Sequence, residues 1–458
     1  MPLIAKIAVS AATYAIDKPY DYLLAEDSAV QEGCRVLVPF GRGNRTCEGM
    51  ILSITRGVSE KKLKSVKQVL DEEPVLTKKQ MKLALWMCQR YFCTFYDAVH
   101  TILPAGVWYS YRELWTLCDG AAWDDLPERE ASVCRFLQEA PQETETLKKA
   151  FGEDVPLLLR KLQKGGIVSV SMESNRRIHD KVVQFVRLAV GTDEALAQTA
   201  LRKSKAPRQH DAVVFLAQYG ETTVHELCYF TGVTRQALRR LETQGLVELR
   251  EQEEYRISEK SYPAKAVPIQ LNDEQQQVYE TVIDQIESGN AGVTLLQGVT
   301  GSGKTLVYIR LAQTLLQQGK SVMILVPEIA LTPQMMARFS AYFGDEVALL
   351  YSGLKLSERY DQYKRIKRGE AHIVLGTRSA VFAPLENLGL IVLDEEQESS
   401  YESENAPCYH ARDIAKYRCS QENARLLLGS ATPTVETAYF AQRGDYQLSL
   451  LRKRYNQK

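Results

Sequence analysis

The stretch Val293-Thr-Leu-Leu-Gln297, followed by Gly298-Val-Thr-Gly-Ser-Gly-Lys304-Thr305 and then Leu306 to Gln318, reads as an apolar strand, a glycine-rich turn and an amphipathic helix. Backbone without side chains in such a turn can approach a phosphate closely, and the N–H groups that open the following helix point at it. Gly298, Thr300, Gly301, Ser302 and Gly303 would form that cradle. Lys304 would reach the terminal phosphates of a bound ATP, and the Thr305 hydroxyl would ligate Mg²⁺. Working outward, the same rhythm continues after Pro268 through Val322 to Val326, Pro333 to Phe343, Ile373 to Leu375, Leu390 to Leu393 and Leu426 to Leu428. Continuous apolar strands alternating with amphipathic helices specify a parallel sheet covered on both faces, so residues 266–458 are expected to form an α/β lobe of the nucleotide-binding type.

The run Leu390-Ile-Val-Leu393 leads directly into Asp394-Glu-Glu-Gln397. A carboxylate at the carboxyl end of a strand in the same sheet is positioned to hold Mg²⁺ against the phosphates, and its neighbour to orient an attacking water. Asp394 takes the first role, Glu395 the second, and with Lys304 they form the expected catalytic set. Gly429-Ser-Ala-Thr-Pro433 follows the next strand and offers two hydroxyls able to link nucleotide state to the rest of the site.

A chain of 458 residues with 45% hydrophobic composition is long enough for about three domains. Lys plus Arg balance Asp plus Glu at 57 each, so any contact with nucleic acid must rest on local basic patches. The nine cysteines include no Cys-x-x-Cys pair, which argues against a zinc ribbon and a disulfide framework and fits a reducing compartment. No signal segment and no long apolar run is evident, so a cytoplasmic, nucleoid-associated protein without membrane contact is expected.

Residues 1–105 mix short β-branched runs with glycine turns and end in a helical stretch around Met81 to Tyr96, which predicts a small β-rich domain closed by helix. Residues 110–265 contain two similar stretches, Leu157 to Val170 and Gln236 to Leu249, each a helix, a glycine stop and a strand preceded by two shorter helical patterns. Three helices followed by a strand pair predict a winged-helix region, in tandem, joined by a linker over Gly191 to Pro207. Lys364-Arg-Ile-Lys-Arg368 reads as a solvated helix face.

Taken together, Gly298 to Thr305, Leu325-Val-Pro-Glu-Ile-Ala-Leu-Thr-Pro-Gln334, Gly376-Thr-Arg-Ser-Ala-Val-Phe-Ala-Pro384, Asp394 to Gln397, Tyr409-His-Ala-Arg-Asp413 and Gly429 to Pro433 resemble the superfamily 2 helicases, and among them the PriA family of replication-restart helicases. The resemblance implies a 3′-to-5′ DNA helicase driven by ATP and Mg²⁺ that recognises branched or forked DNA with a 3′ end and starts primosome assembly. Single-stranded DNA-binding protein and primosome proteins are the implied partners. It places Gln275 with the nucleotide-binding residues, and Thr377, Arg378, Tyr401, Tyr409 and Arg412 on the DNA, the aromatic rings by stacking on bases. In the amino-terminal domain, Pro19-Tyr-Asp-Tyr22, Val38-Pro-Phe-Gly41 and Leu63-Lys64 match the order of the family's 3′-end pocket, which would consist of Tyr20, Asp21, Tyr22, Gly41 and Lys64.

Two departures from the family pattern stand out. Gln397 occupies the place of the family's usual histidine, which keeps hydrogen-bonding capacity without the ability to charge. The sequence given stops at Lys458, where the family continues into a second motor lobe with facing arginines and a zinc cluster, so no zinc site is expected in this chain and the piece should bind ATP but hydrolyse it poorly. The alternative is a non-catalytic fork-recognition module for which ATP is a conformational ligand.

Overall fold

Alternation builds the first sheet. In the computed structural model, which describes residues 2–25, 30–41, 43–57, 62–123, 126–176, 181–256 and 266–455, the strands β1 (Leu3–Val9), β2 (Tyr20–Leu24), β3 (Arg35–Phe40), β4 (Arg45–Arg56), β5 (Lys64–Ser65) and β6 (Gln68–Val69) form a sheet in the order β5-β2-β1-β4-β3-β6. Ala5, Ile7 and Val9 fall on one face by the two-residue period and are buried with Tyr22, Leu24, Val36, Val38 and Ile51. Helices α1 (Lys78–Tyr91) and α2 (Phe95–Ile102) each start with a reciprocal cap, Thr77 with Gln80 and Thr94 with Asp97. Arg35, 1% exposed, fastens strand to loop: its Nη2 and Nε reach the two carboxylate oxygens of Asp71 at 2.7 and 3.0 Å and its Nη1 reaches the Val107 carbonyl at 2.8 Å.

The next two segments share one element order, except that the second carries one additional helix after its first strand. The first runs β7 (Tyr109–Leu117), α3 (Glu128–Glu139), β8 (Gln142–Glu143), α4 (Thr144–Phe151), α5 (Val155–Lys164) and β9 (Val168–Arg176), with sheet order β8-β7-β9. The second, a compact unit of its own from His179 to Ser258, runs β10 (Val182–Leu188), α6 (Thr192–Ala200), α7 (Pro207–Tyr219), β11 (Thr222–Thr223), α8 (Val224–Thr231), α9 (Arg235–Thr243) and β12 (Val247–Glu253), with sheet order β11-β10-β12. The strand pair expected after the third helix is not formed locally. A single strand follows it, and its antiparallel partner precedes the first helix, β7 with β9 and β10 with β12. The linker expected over Gly191 to Pro207 is also corrected: most of it is α6, because Ala195 and Thr199 bury against α7, where the Thr199 hydroxyl lies 3.1 Å from His210 Nδ1. The join expected at 265 falls within 257–265, outside the described residues.

The third layer system is the expected parallel sheet. Helix α10 (Asp273–Glu287) leads into β13 (Gly292–Gly298), α11 (Lys304–Gln317), β14 (Ser321–Leu325), α12 (Pro333–Phe343), β15 (Val347–Leu350), α13 (Leu356–Lys367), β16 (Ile373–Gly376), β17 (Leu388–Asp394), α14 (Ala411–Glu422), β18 (Arg425–Ser430), α15 (Val435–Arg443) and β19 (Gln447–Leu451). The strand order is β15-β16-β14-β17-β18-β13-β19, with parallel pairing throughout. Loops that bind ligands lie at the carboxyl ends of such strands. Here β18 separates β13 from β17, so the glycine loop, Ser430 and Asp394 emerge along one edge of the sheet.

This lobe and the amino-terminal domain share a core in which Met81, Ala84 and Met87 of α1 are joined by Tyr363, Phe382 and Ile414. Gln80 donates to the Tyr363 hydroxyl at 3.3 Å, Lys79 pairs with Glu422 at 2.6 Å, and Trp86 stacks on Tyr417 at 4.5 Å. The basic run 364–368 belongs to this region and is no solvated face. Lys364 and Arg365 are buried, Arg365 donates to the Val347 carbonyl, and Lys367 donates to the Pro74 carbonyl at 2.8 Å. Aliphatic stems cover apolar surface while the heads find carbonyls, an arrangement that periodicity alone does not distinguish from a wet face.

Candidate nucleotide site and nucleic-acid surfaces

The loop after β13 is shaped by backbone that only glycine adopts readily: Gly301 and Gly303 have φ of +80° and +82°. It walls a recess of about 410 Å³ lined by residues 300–306 together with Arg338, Asp394, Glu395 and Tyr455. Ser302 Oγ is buried with no hydrogen-bond partner, and Lys304 is buried with its Nζ 3.3 Å from the Gly298 carbonyl and 3.2 Å from Glu395 Oε1. A donor set of this kind, cationic and partly unsatisfied at a helix start, fits a phosphate chain. Thr305 lines the same recess beside Asp394, so a hydroxyl and a carboxylate are available to a hard divalent cation.

Gln275 sits elsewhere in relation to the loop. It is fully buried, caps the amino end of α10 with Asn272, and its Nε2 donates to the Ser302 carbonyl at 2.8 Å. A Cβ on Gly303 would lie 2.4 Å from that Nε2. In this geometry Gln275 braces the loop from behind.

The acidic end of β17 is held by groups that the sequence did not single out. Tyr308, one helical turn after Lys304 on α11, is fully buried and donates to Asp394 Oδ1 at 2.8 Å. Burial raises the Asp394 pKa above its ordinary value, opposed by the Tyr308 hydrogen bond and the charge of Lys304. Gly429 makes room for the pair, since a Cβ there would fall 1.9 Å from the Tyr308 hydroxyl. Glu395 takes a left-handed backbone conformation, φ +49°, which turns it back toward Lys304. Gln397 Nε2 donates to Glu395 Oε2 at 2.9 Å, and Ser430 Oγ donates to Gln397 Oε1 at 2.6 Å. Glu396 is buried and gathers the amide of Thr434 at 2.8 Å, the hydroxyl of Thr437 at 3.1 Å and Arg412 Nη1 at 3.3 Å. The spacing of Tyr308 four residues after Lys304 was the signal available for the first of these. Arg338 and Tyr455 carried none.

Several expected DNA contacts are corrected here. Tyr401 is 1% exposed, its hydroxyl lying between the carbonyls of Leu325 and Asp394, 2.9 and 2.7 Å away, with its single proton shared between them, so its ring is closed to a base. Tyr409 is also buried, edge-on to Phe382 with ring centres 4.9 Å apart. Thr377 is buried, with its amide bonded to the Leu350 carbonyl. Arg412 is committed to Glu396 and to Glu436, the latter at 2.6 Å. Each was expected on the surface because aromatic and basic types suit nucleic acid; in the fold Arg412 joins the ends of β17 and β18, Tyr401 the ends of β14 and β17, Thr377 the ends of β15 and β16, and Tyr409 packs on the turn after β16. Arg378 is the exception, partly exposed and bonded to the carbonyls of Ser400 and Glu402 beside a recess of about 710 Å³.

In the amino-terminal sheet four of the five candidate pocket residues, Tyr20, Tyr22, Gly41 and Lys64, meet at one end. Tyr20 packs edge-on to Phe40 with ring centres 5.1 Å apart, Tyr22 pairs in register with Lys64, and Lys64 Nζ donates to the Gly41 carbonyl at 2.8 Å. Gly41 has φ +70° and open space around it. Tyr22 is buried, donates to the Pro39 carbonyl at 3.2 Å, and has its pKa pushed up to about 12 by burial. Asp21 is exposed and lies on the opposite face of β2 from the two tyrosines.

Residues 6–104 match the 3′DNA-binding domain of PriA, and residues 272–439 match the DEAD/DEAH box helicase domain. The chain is 35% identical over 467 aligned residues to the replication restart protein PriA of Bacillus subtilis, covering 99% of this chain and 56% of that protein. The PriA proteins of Synechocystis sp. and Haemophilus influenzae are 32% and 30% identical, over 93% and 98% of this chain and 51% and 52% of theirs. The chain therefore spans about half the length of these curated relatives. Over the stretch they share, with a 3′DNA-binding domain followed by a RecA-like helicase lobe, the chain belongs to the PriA family.

Proposed function

We propose that this protein is the DNA-docking and ATP-binding part of a 3′-to-5′ helicase that recognises branched or stalled forks, captures a 3′ end and initiates primosome assembly with single-stranded DNA-binding protein and primosome proteins. The observation that carries the reading is the joining in one compact unit of the glycine loop with Lys304, Asp394 and Glu395 and a domain whose sheet gathers Tyr20, Tyr22, Gly41 and Lys64. In this reading Gly298, Thr300, Gly301, Ser302, Gly303 and Lys304 hold the phosphates. Thr305 and Asp394 hold Mg²⁺, which supplies charge neutralisation at the transferring phosphoryl group. Glu395 orients the attacking water. Arg378 supplies the contact to the DNA backbone.

The reading carries a further point, that the 458 residues bind ATP better than they hydrolyse it; the 3.2 Å ion pair between Lys304 and Glu395 must part before Lys304 can serve phosphate and Glu395 can serve water. The test is a pair of measurements on the purified chain, nucleotide binding by fluorescent ATP analogue and phosphate release on forked DNA. Lys304→Ala should abolish nucleotide binding while leaving fork binding within about twofold. Sustained DNA-stimulated phosphate release identifies a motor; saturable ATP binding with none, even under excess fork, sinks the motor reading in favour of a fork-recognition module.

A further inference from the structure

The compact unit from His179 to Ser258 carries an aromatic strip that no role above uses. Tyr219, Tyr229 and Phe230 expose 65%, 78% and 65% of their surface. They are organised: Phe230 lies nearly parallel to Phe215, 13° between planes and 5.7 Å between centres, Phe215 meets Tyr219 at 4.7 Å, and Tyr229 stands edge-on to Phe230 at 5.2 Å. Phe215 and Tyr219 share one face of α7 by their four-residue spacing, and Arg208, two turns earlier, extends the same face. Arg208 Nη1 donates to the Gly232 carbonyl at 3.1 Å, just past the end of α8 where Phe230 sits. Aromatic rings thus grade into a cation along a helix of 13 residues, about 20 Å long.

The stretch of sequence that carries the strip is richer in cations than the unit as a whole, whose charges balance. Residues 201–240 hold seven Lys and Arg against three Asp and Glu, and of the three acids Glu226 is already bonded to Thr222 and Thr223. Arg202, Lys203 and Lys205 stand exposed in the turn that opens α7. A contiguous exposed aromatic patch on a soluble unit marks a binding surface. Flanking cations choose the occupant, since rings offer a stacking face to any base while Arg and Lys meet the phosphates between bases. Duplex bases are stacked on one another and offer no free face.

We propose that this face of the unit binds single-stranded DNA, with bases stacked on Phe230, Tyr229 and Tyr219 and phosphates held by Arg208 and the 202–205 turn. The site extends the proposed DNA function but rests on the unit's own geometry and needs neither the nucleotide site nor the end pocket.

The experiment uses the full chain and an oligo(dT) carrying internal 4-thiothymidine and a 3′-phosphate, which keeps a free 3′ hydroxyl out of the comparison. Photocrosslinks are mapped by mass spectrometry, and affinity is read by anisotropy across a salt series. Adducts are expected within residues 208–230. The double change Tyr229→Ala with Phe230→Ala should weaken binding about tenfold or more, and Arg208→Ala should flatten the salt slope by about one. Because both aromatics are exposed, an unchanged melting curve will show that the double variant still folds. Adducts confined to other parts of the chain together with unchanged affinity in the double variant overturn the proposal, as does a double variant that loses self-association or a protein partner while keeping its affinity for the oligonucleotide. Lys304→Ala separates the two readings: loss of phosphate release with adducts at 208–230 intact removes the motor and leaves this site.

Discussion

Gln397 fixes Glu395 from the side, donating its amide to Oε2 at 2.9 Å while accepting from Ser430 at 2.6 Å. A primary amide donates and accepts at once in either direction of charge, so the bridge from β17 to β18 forms without a proton being taken up. Gln397→Ala leaves the Glu395 carboxylate unpositioned, and the loss of a hydrogen bond to a charged group, about 1.5–3 kcal/mol, corresponds to a fall in kcat of roughly ten- to a hundredfold with KM for ATP little changed. Gln397→His should restore most of the activity above the imidazole's ordinary pKa of about 6.5 and lose it below, since a doubly protonated ring cannot accept from Ser430. Phosphate-release rates from pH 5.5 to 8.5 check both; a flat profile for the histidine variant rules out the bridge.

Asp394 gives a stability test with a definite sign. Its folded pKa is raised, chiefly by burial, so between its ordinary value near 3.8 and the higher folded value the unfolded chain ionises first and stability falls as pH rises; above the folded pKa the penalty stays in full. Below both values it vanishes. Asp394→Asn removes the buried charge, and the Tyr308 hydroxyl can still donate to the amide oxygen. The variant should therefore melt above the parent at pH 7 in the presence of a chelator, the gap should close toward pH 4, and added Mg²⁺ should stabilise only the parent. Melting curves at four pH values decide it, and a gap that widens on acidification contradicts the assignment.

The parallel lobe was legible because each apolar run and each glycine stop declares itself locally: Leu390 to Leu393 is a buried strand whatever surrounds it, and Gly301 and Gly303 permit one loop shape. What escaped the sequence is long-range. Tyr401 and Tyr409 have the same composition signature on a DNA surface as in a core, and only packing against Phe382 and the carbonyls of Leu325 and Asp394 separates the two. The basic run at 364–368 was misread for the same reason, since the groups that receive it, Pro74 and Val347, lie far away in sequence. The pairing of β7 with β9 is non-local too, so the local pattern of three helices and a strand could not assign the partner strand.

Arg35 illustrates a residue whose consequence is structural. Its guanidinium is buried against Asp71 and lies 5.7 Å from the centre of the Trp108 ring. Removing one partner of a buried pair leaves the other charge without compensation, at about 3–5 kcal/mol. Arg35→Ala is expected to destabilise the amino-terminal domain by that amount, and Arg35→Lys to recover little, because one ammonium cannot reproduce the two-pronged contact. Guanidinium titration followed by tryptophan emission checks it. A midpoint unchanged in Arg35→Ala shows that the pair contributes nothing.

Two oppositely charged residues of the amino-terminal sheet test the proposed end pocket, Lys64 in register with Tyr22 and Asp21 on the opposite face of β2. Lys64 holds the Gly41 carbonyl at 2.8 Å with its ammonium exposed, free to meet a backbone phosphate, while Asp21 presents an exposed carboxylate. A carboxylate accepts a hydroxyl proton and repels a phosphate, so the parent should bind a fork whose leading strand ends in a 3′-hydroxyl more tightly than one ending in a 3′-phosphate, by roughly tenfold or more. Asp21→Asn should shrink that ratio toward one, mainly by tightening the phosphorylated fork, because an amide no longer repels it. Lys64→Ala should instead weaken both forks alike and lower their salt dependence, since a phosphate contact carries no information about the end. Fork binding by anisotropy at two salt concentrations separates these patterns; an Asp21→Asn variant that keeps the parent's full preference places the end elsewhere on the chain.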